Sequence, residues 1–303
     1  MAVKKAQAIV NGVTIPLTQV GATNEWKASG TAPAKSSYNQ TGHYYGVTIQ
    51  AWDDAGNMTE VDVTDSELGE ALKLIVKEAV APVITITYPT ASAVLTNNKP
   101  VIEWKVTDDD SGVNPDTIGI TIDSGSKITG SAITKTAVTG GYECSYTPTT
   151  ALSDGSHTIK VDASDNDGNA ATQKTVTFKV DTVPPTLNIS SPAANLVTND
   201  ASCTVSGITN DITSSPCKVT IKLNSGAAEE VNVGSDGAFS KVLTLTQGTN
   251  TITIVSTDSA GKATTVTRTV TLDTGAPVIE NPVITPNPVG TSKTFTISVT
   301  IKD

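Results

Sequence analysis

The stretch "ASDNDGNAAT", Ala163–Thr172, places acidic and amide side chains around one glycine, directly after an alternating apolar run. Asn, Asp and Gly tolerate positive φ better than other residues, and they are common in tight turns between strands. The apolar residues of the preceding run recur at every second position, which is the period of a half-buried strand. The stretch therefore predicts the turn of a β-hairpin.

Two further copies of this turn occur in the chain, in "AWDDAGNMT" (Ala51–Thr59) and in "STDSAGKATT" (Ser256–Thr265). Each copy has Asp, two residues, Gly, and then Asn or Lys. Each follows a strand-like alternation: Val47-Ile49-Ala51, Ile159-Val161-Ala163 and Ile252-Ile254-Ser256. Alternation, a polar turn with glycine and renewed alternation are together a hairpin signature.

The spacing of the three turns defines the domain organisation. Asp53, Asp165 and Asp258 are separated by 112 and 93 residues, which are lengths of β-sandwich domains and too long for solenoid repeats. Short proline-bearing junctions, "VDTVPP" and "LDTGAP", precede the last two domain starts. We therefore predict domains at 1–80, 81–182 and 183–274, and a further segment at 275–303.

The segment 275–303 predicts only the first strands of a fourth domain. It contains one opening strand and a second alternating run, Phe295-Ile297-Val299-Ile301. Two strands cannot bury enough surface to be stable alone. Either the natural chain continues past Asp303, or the segment pairs with a sheet edge of another chain.

These features resemble a tandem array of bacterial immunoglobulin-like domains, which occur in surface proteins, stalks of secreted enzymes and tailed-phage virion proteins. The D-x-x-G-[NK] turn and the "DTxPP/APxI" junction carry the resemblance across nearly all the chain. It implies an all-β fold of immunoglobulin-like β-sandwiches in a row, with a divergent first domain. Immunoglobulin sandwiches often have a Tyr that hydrogen-bonds back to the preceding loop. The three copies have Tyr45, His157 and Asn250 there.

Composition excludes several classes of protein. The net charge of −10 provides no basic surface for nucleic acid, and no apolar stretch has the length of a membrane span. Cys144, Cys203 and Cys217 are too few for a disulfide framework and are expected to be buried apolar residues. The N-terminal "MAVKKAQAIVNGVTIPL" contains no unbroken apolar region of a signal peptide.

The residue patterns do not predict an enzyme. His43 and His157 have no cysteine or histidine at ligand spacing, and no serine lies in a Gly-x-Ser-x-Gly elbow. The sequence contains no phosphate-binding glycine loop. Paired carboxylates occur only in turns, where they are solvated. We expect no catalytic residues and no required cofactor.

An aromatic face is predicted on the strand "HYYGVTIQAW", His43–Trp52. Alternation turns Tyr45 inward and a second row outward: Tyr44, Gln50 and Trp52. Exposed Tyr and Trp can dock a partner or stack on sugar rings. Alternatively, a neighbouring loop covers them.

A calcium site is the second interpretation of the opening stretch, in the second domain only. Loops after the second and sixth strands of this fold return to the end where the chain enters, which places five aspartates near Glu78 of the linker: Asp108, Asp109, Asp110, Asp165 and Asp167. Calcium accepts six to eight oxygen ligands. The third domain offers only Asp211 and Asp258 at this end, so we expect calcium at the first junction or a solvated acidic turn alone.

The sequence favours a structural component of a phage or phage-like particle, in its tail, baseplate or capsid. Its first domain would anchor it to other virion proteins or to copies of itself, and later domains would contact host-surface carbohydrate weakly. Such a protein is made in the host cytoplasm and resides in the virion. The alternative is a bacterial cell-surface adhesin, or the stalk of a secreted enzyme, in an extracellular location.

Overall fold

The computed structural model describes residues 2–303, and the architecture is all-β as predicted. Strands occupy most of the chain, and the helical turns are short 3-10 segments: Ser37–Asn39, Thr41–His43, Gly69–Leu72 and Gly130–Ala132. The chain divides into two compact units. Unit 1 contains Asn97–Val180 and the residues up to Ala93, and unit 2 contains Val94–Thr96 and Asp181–Asp303.

The first segment of unit 1 forms one six-stranded sheet in the order β3-β2-β1-β4-β5, with β6 paired to β4. Its strands are β1 (Val3–Val10), β2 (Val13–Gln19), β3 (Trp26–Lys27), β4 (Tyr45–Asp53), β5 (Met58–Val61) and β6 (Lys73–Leu74). The β1–β2 hairpin turns at Asn11 and Gly12, whose φ values are 49° and 78°. Two residues with positive φ give a turn whose twist matches that of the flanking strands.

This first segment has a small core compared with the domains that follow. Among its hydrophobic side chains, Ala6 and Tyr45 are buried, and most of β4 is half-buried. Its strands join a single sheet rather than two facing sheets. The assignment of residues 1–80 to a divergent immunoglobulin-like domain stays a prediction.

The second segment of unit 1 is a sandwich of two antiparallel sheets around Trp104 and Phe178, which are 1% and 0% exposed. One sheet has the order β11-β12-β9-β7, and the other contains β10, β13 and β14 side by side. The strands are β7 (Val83–Tyr88), β9 (Ile102–Thr107), β10 (Val113–Ile122), β11 (Thr134–Val138), β12 (Gly141–Tyr146), β13 (Gly155–Asp165) and β14 (Lys174–Val180), while the short strand β8 (Val94–Leu95) belongs to unit 2. Alternate residues of β13 are buried, which confirms the predicted inward row and places Asp165 on the buried side.

Unit 2 contains a second sandwich, with sheets β15-β17-β20 and β16-β22-β21-β18-β19. The strands are β15 (Thr186–Ser191), β16 (Leu196–Thr198), β17 (Ser202–Asn210), β18 (Lys218–Leu223), β19 (Glu229–Val231), β20 (Ala238–Thr244), β21 (Gly248–Thr257) and β22 (Ala263–Leu272). Val205, Val219, Ile252 and Ile254 form the centre of its core. The predicted alternation of β21 is confirmed, because Asn250, Ile252, Ile254 and Ser256 are all buried.

The last segment of unit 2 is a lone antiparallel hairpin of β23 (Val278–Thr285) and β24 (Thr296–Lys302). Its alternating apolar run is exposed, with Phe295 at 53%, Ile297 at 63% and Ile301 at 62%. Two strands give these side chains no second layer to pack against. The hairpin therefore presents an apolar face.

In each part of the chain that contains the repeated turn, a side chain near the start of the strand before that turn (β4, β13 or β21) hydrogen-bonds back to the preceding loop. The Tyr45 hydroxyl donates to the Lys35 carbonyl at 3.1 Å. His157 Nε2 lies 2.7 Å from the Ser153 carbonyl, and Asn250 Nδ2 donates to the Thr246 carbonyl at 2.7 Å. The tyrosine-corner contact thus persists where His or Asn replaces the tyrosine.

Candidate functional site

The repeated turn is a hairpin turn in each copy, joining β4 to β5, β13 to β14 and β21 to β22. Its glycines, Gly56, Gly168 and Gly261, have φ values of 88°, 95° and 85°, a region that favours glycine. Oδ1 of each turn aspartate accepts the N–H of the residue that follows the glycine, at 2.8–2.9 Å. The hairpin prediction is confirmed.

In the first two copies an Asn side chain completes the turn. Asn57 Nδ2 donates to Asp53 Oδ2 at 2.8 Å, and Asn169 Nδ2 donates to Asp165 Oδ2 at 2.7 Å. The hydrogen bonds from the Asn57 side chain and backbone lower the pKa of Asp53. Both oxygens of the turn carboxylate are thereby satisfied within the turn itself. The third copy has Lys262 in place of this Asn and lacks the amide donor.

Two of the five aspartates predicted as a calcium set lie together with the linker residue Glu78. One carboxylate oxygen each from Glu78, Asp108 and Asp165 lies within 4.8 Å of the others, and both aspartates are buried. Asp108 Oδ1 accepts the backbone N–H groups of Asp110 and Gly112 at 3.0 and 2.8 Å. Glu78 Oε1 accepts the Ser111 N–H at 2.5 Å. These donors offset much of the repulsion between the carboxylates.

The other three predicted aspartates have different positions. Asp109 is exposed. Asp110 accepts the Ser36 N–H at 3.1 Å and the Asn39 amide at 2.6 Å, both from the first segment. Asp167 Oδ2 accepts the backbone N–H of Glu78 at 3.0 Å. The acidic loops of the unit 1 sandwich thus bind the first segment and the linker, while calcium binding stays a prediction.

A second acidic group lies in unit 2 and was not predicted from the sequence. Asp181, Asp211 and Asp258 each contribute one carboxylate oxygen, and these oxygens lie within 4.8 Å of one another. Asp211 and Asp258 were noted in the sequence as a pair. Asp181 was missed because the junction "VDTVPP" was interpreted only as a linker, although Asp181 occupies the place before the third domain that Glu78 occupies before the second.

The predicted aromatic face is half-buried rather than fully exposed. Tyr44, Gln50 and Trp52 all have intermediate exposure. The ammonium of Lys5 lies 4.6 Å from the Trp52 ring centroid, and that of Lys73 lies 5.0 Å from the Tyr44 ring centroid. Gln50 accepts a hydrogen bond from Gln7 and donates one to Glu60. The face is therefore a row of aromatic rings beside lysines, and its role in docking stays a prediction.

The histidines and cysteines have structural contacts. His43 packs against Tyr38, with ring centroids 4.3 Å apart, and His157 contacts Asp123. All three cysteines are buried and free, and burial raises the pKa of the Cys144 thiol to about 11. A thiol with such a pKa is protonated at neutral pH and is a poor nucleophile.

Comparison with protein families confirms the resemblance. Residues 90–182 match the model of a bacterial Ig-like domain, and residues 185–274 match the model of glucodextranase domain B. No curated protein matches the chain. Residues 90–274 therefore contain two immunoglobulin-like domains in tandem, a fold that is generally non-catalytic and is typical of surface proteins and accessory modules.

Solved structures that this chain matches include an I-band fragment of titin, with 14% identity, a TM-score of 0.47, and coverage of 88% of this chain and 87% of that chain. The fibronectin(III)-like modules of Clostridium thermocellum CbhA have 15% identity and a TM-score of 0.34, over 63% of this chain and 94% of theirs. Dimeric latent PorU from Porphyromonas gingivalis has 16% identity and a TM-score of 0.31, over 89% of this chain and 30% of the PorU chain.

Bacterial Ig-like domains suggest an extracellular or surface location. Within residues 2–303, no helix combines the length and the apolar composition that crossing a bilayer requires.

Proposed function

We propose that the chain is a non-enzymatic spacer that holds neighbouring parts of a surface-exposed assembly at a fixed separation. The observation that carries this proposal is the junction in unit 1, where the first segment and the following sandwich form one compact unit. A spacer needs junctions that resist bending, and interdomain hydrogen bonds supply that resistance.

The contacts at this junction come from both sides of the linker. Asp110 accepts donors from Ser36 and Asn39 of the first segment, and Lys35 Nζ lies 3.8 Å from the Asp110 carboxylate. The Asp110 side chain is only 13% exposed, so these charge-assisted bonds are weakly screened. Asp167 binds the linker backbone at Glu78.

The experiment is limited proteolysis of linker residues 76–82, together with small-angle scattering, on the parent and on Asp110→Ala/Asp167→Ala. We expect faster linker cleavage and a broader distribution of interatomic distances in the variant. Asp116→Ala is the control, because Asp116 is exposed and makes none of the junction hydrogen bonds described above. Unchanged cleavage and scattering in the double variant would contradict the proposal.

More specifically, we propose that this assembly is a phage or phage-like particle, with the protein in its tail, baseplate or capsid. Support comes from the buried free cysteines, because a fold without disulfides does not need an oxidising compartment. Its partners would be other virion proteins or further copies, with weak contact to host carbohydrate. Detection of the chain by mass spectrometry in purified particles tests this form. Recovery only from the bacterial surface fraction would instead identify an adhesin or an enzyme stalk.

A further inference from the structure

The acidic group of unit 2 is assembled from three separate places in the chain. Asp181 is the first residue of the unit 2 segment Asp181–Asp303, Asp211 follows β17, and Asp258 follows β21. Their exposures are 1%, 7% and 6%. Three carboxylates in so small and buried a space repel one another strongly unless positive charge or hydrogen-bond donors offset them.

The hydrogen-bond donors around these three aspartates do not reach all of their carboxylate oxygens. Asp181 Oδ1 accepts the Val183 N–H at 3.2 Å and Asp258 Oδ1 accepts the Lys262 N–H at 2.9 Å. Among the described residues, however, Asp181 Oδ2 and Asp258 Oδ2 are buried and have no hydrogen-bond partner. Burying a carboxylate oxygen without a partner is costly, and such cases call for an ion or water at the site.

The third copy of the turn explains why Asp258 Oδ2 is unpartnered. In the first two copies, the Asn after the glycine donates its amide to this oxygen, as Asn169 does to Asp165. Lys262 replaces that Asn and donates only its backbone N–H. None of the ion pairs within residues 2–303 joins Lys262 to the three aspartates. Lys262 thus leaves Asp258 Oδ2 without a donor, on a carboxylate that belongs to the acidic group.

We propose that Asp181, Asp211 and Asp258 bind a calcium ion. Two oxygens at about 2.4 Å from one calcium are separated by at most about 4.8 Å, which is the limit within which these three oxygens lie. The donors are hard carboxylate oxygens, which suit calcium better than zinc or copper. Calcium also tolerates irregular coordination, whereas magnesium requires near-ideal octahedral geometry and retains several waters.

The surroundings of the group favour a built site over a solvated turn. Ser214 is 2% exposed and its N–H donates to Asp211 Oδ1 at 2.6 Å, which holds the Asp211 carboxylate in place. The Ser214 carbonyl accepts both the N–H and the hydroxyl of Ser259, at 3.0 and 2.9 Å. The loop after β17 is therefore fixed to the turn after β21, and Asp211 and Asp258 are preorganised.

The test is calcium titration of the full chain after treatment with chelator, by isothermal titration calorimetry and native mass spectrometry. The parent is expected to bind one calcium in this group. At calcium concentrations about a hundredfold above Kd, the melting temperature of the third domain should rise by on the order of 10 °C in scanning calorimetry. Asp181→Asn and Asp258→Asn should each lose this binding.

Lys262→Asn is the sharper variant, because it keeps all three carboxylates and restores the amide of the other copies. We expect its calcium affinity to fall at least about tenfold, with the circular dichroism of the parent retained. Asp165→Asn is the matched control in unit 1 and should leave this binding unchanged. If the parent binds no calcium at millimolar concentration or prefers magnesium, the proposal is wrong. It is also wrong if Asp258→Asn and Lys262→Asn bind calcium as the parent does.

Discussion

Replacing Asp123 by Asn should make the sandwich of unit 1 less stable at acidic pH and leave its stability nearly unchanged at alkaline pH. The third domain supplies the model for this variant, because Asn224 occupies the equivalent place. Asp123 Oδ1 accepts the Thr158 N–H at 2.8 Å, and Asn224 Oδ1 accepts the Thr251 N–H at 2.8 Å. Their φ values are 53° and 50°, which Asn adopts more readily than most residues. The backbone is therefore expected to be unchanged.

The replacement removes the charge that faces His157. His157 Nδ1 lies 2.9 Å from Asp123 Oδ2, and the His157 side chain is 6% exposed. Burial lowers the pKa of His157, but the hydrogen bonds to Ser153 and Asp123 outweigh it, and the pKa is raised above 6.5. A raised pKa of a histidine adds stability that is fully present below the unfolded pKa. That stability is lost as pH rises through the folded pKa.

The size of the expected stability loss depends on how exposed the His157–Asp123 pair is to solvent. A hydrogen bond to a charged group contributes about 1.5–3 kcal/mol when it is well buried. The Asp123 side chain is 44% exposed, so solvent screening reduces the contribution to about 1 kcal/mol. We expect Asp123→Asn to lower the free energy of unfolding by about 1 kcal/mol at pH 5.5 and by a small fraction of that at pH 8.5.

Urea unfolding at both pH values measures the effect, followed by the fluorescence of Trp104, which is buried in this sandwich. The signals of Trp26 and Trp52 are common to parent and variant. Asp116→Asn serves as the control for a change of net charge at an exposed site. An equal loss of stability at the two pH values would show that the charge of Asp123 is not the source of the effect.

Two further predictions concern docking surfaces. The double variant Tyr44→Ala/Trp52→Ala should be incorporated into the parent assembly at least about tenfold less in a pull-down, because aromatic residues dominate interface energies. Its far-UV circular dichroism should equal that of the parent. Incorporation equal to that of the parent would contradict the docking role of this face. Ile297→Lys/Ile301→Lys should reduce self-association in sedimentation velocity, because charges on an exposed strand oppose edge pairing; an unchanged sedimentation coefficient would show that this hairpin does not pair between copies.

The hairpins and the sandwich cores were predictable because they depend on local patterns. Period-two alternation fixes which residues of β13 and β21 point inward, and a glycine with positive φ fixes the turn between two strands. The single sheet of the first segment was not predictable in the same way. Strand alternation states that one face is buried but not whether a second sheet covers it.

The aromatic face shows a related limit of sequence patterns. Alternation correctly separated Tyr45, which is buried, from Tyr44 and Trp52, which are half-buried. It could not show that Lys5 and Lys73 lie over those rings, because one lysine comes from the neighbouring strand β1 and the other from β6. Contacts between distant parts of the chain depend on strand order and register, which hydrophobic period alone does not specify.

Counting the carboxylates in each loop does not show which of their oxygens lack hydrogen-bond donors, and the two acidic groups differ in this respect. The second domain has more aspartates, but the oxygens of Asp165 are both occupied by Asn169, and Asp110 and Asp167 accept N–H groups from outside their own loops. The third domain has fewer aspartates and fewer donors for them. The proposed calcium site depends instead on the number of buried carboxylate oxygens left without a donor, and the residue after the turn glycine changes that number. An Asn there donates its amide to the turn carboxylate, while Lys262 leaves Asp258 Oδ2 without a donor in the group that Asp258 forms with Asp181 and Asp211.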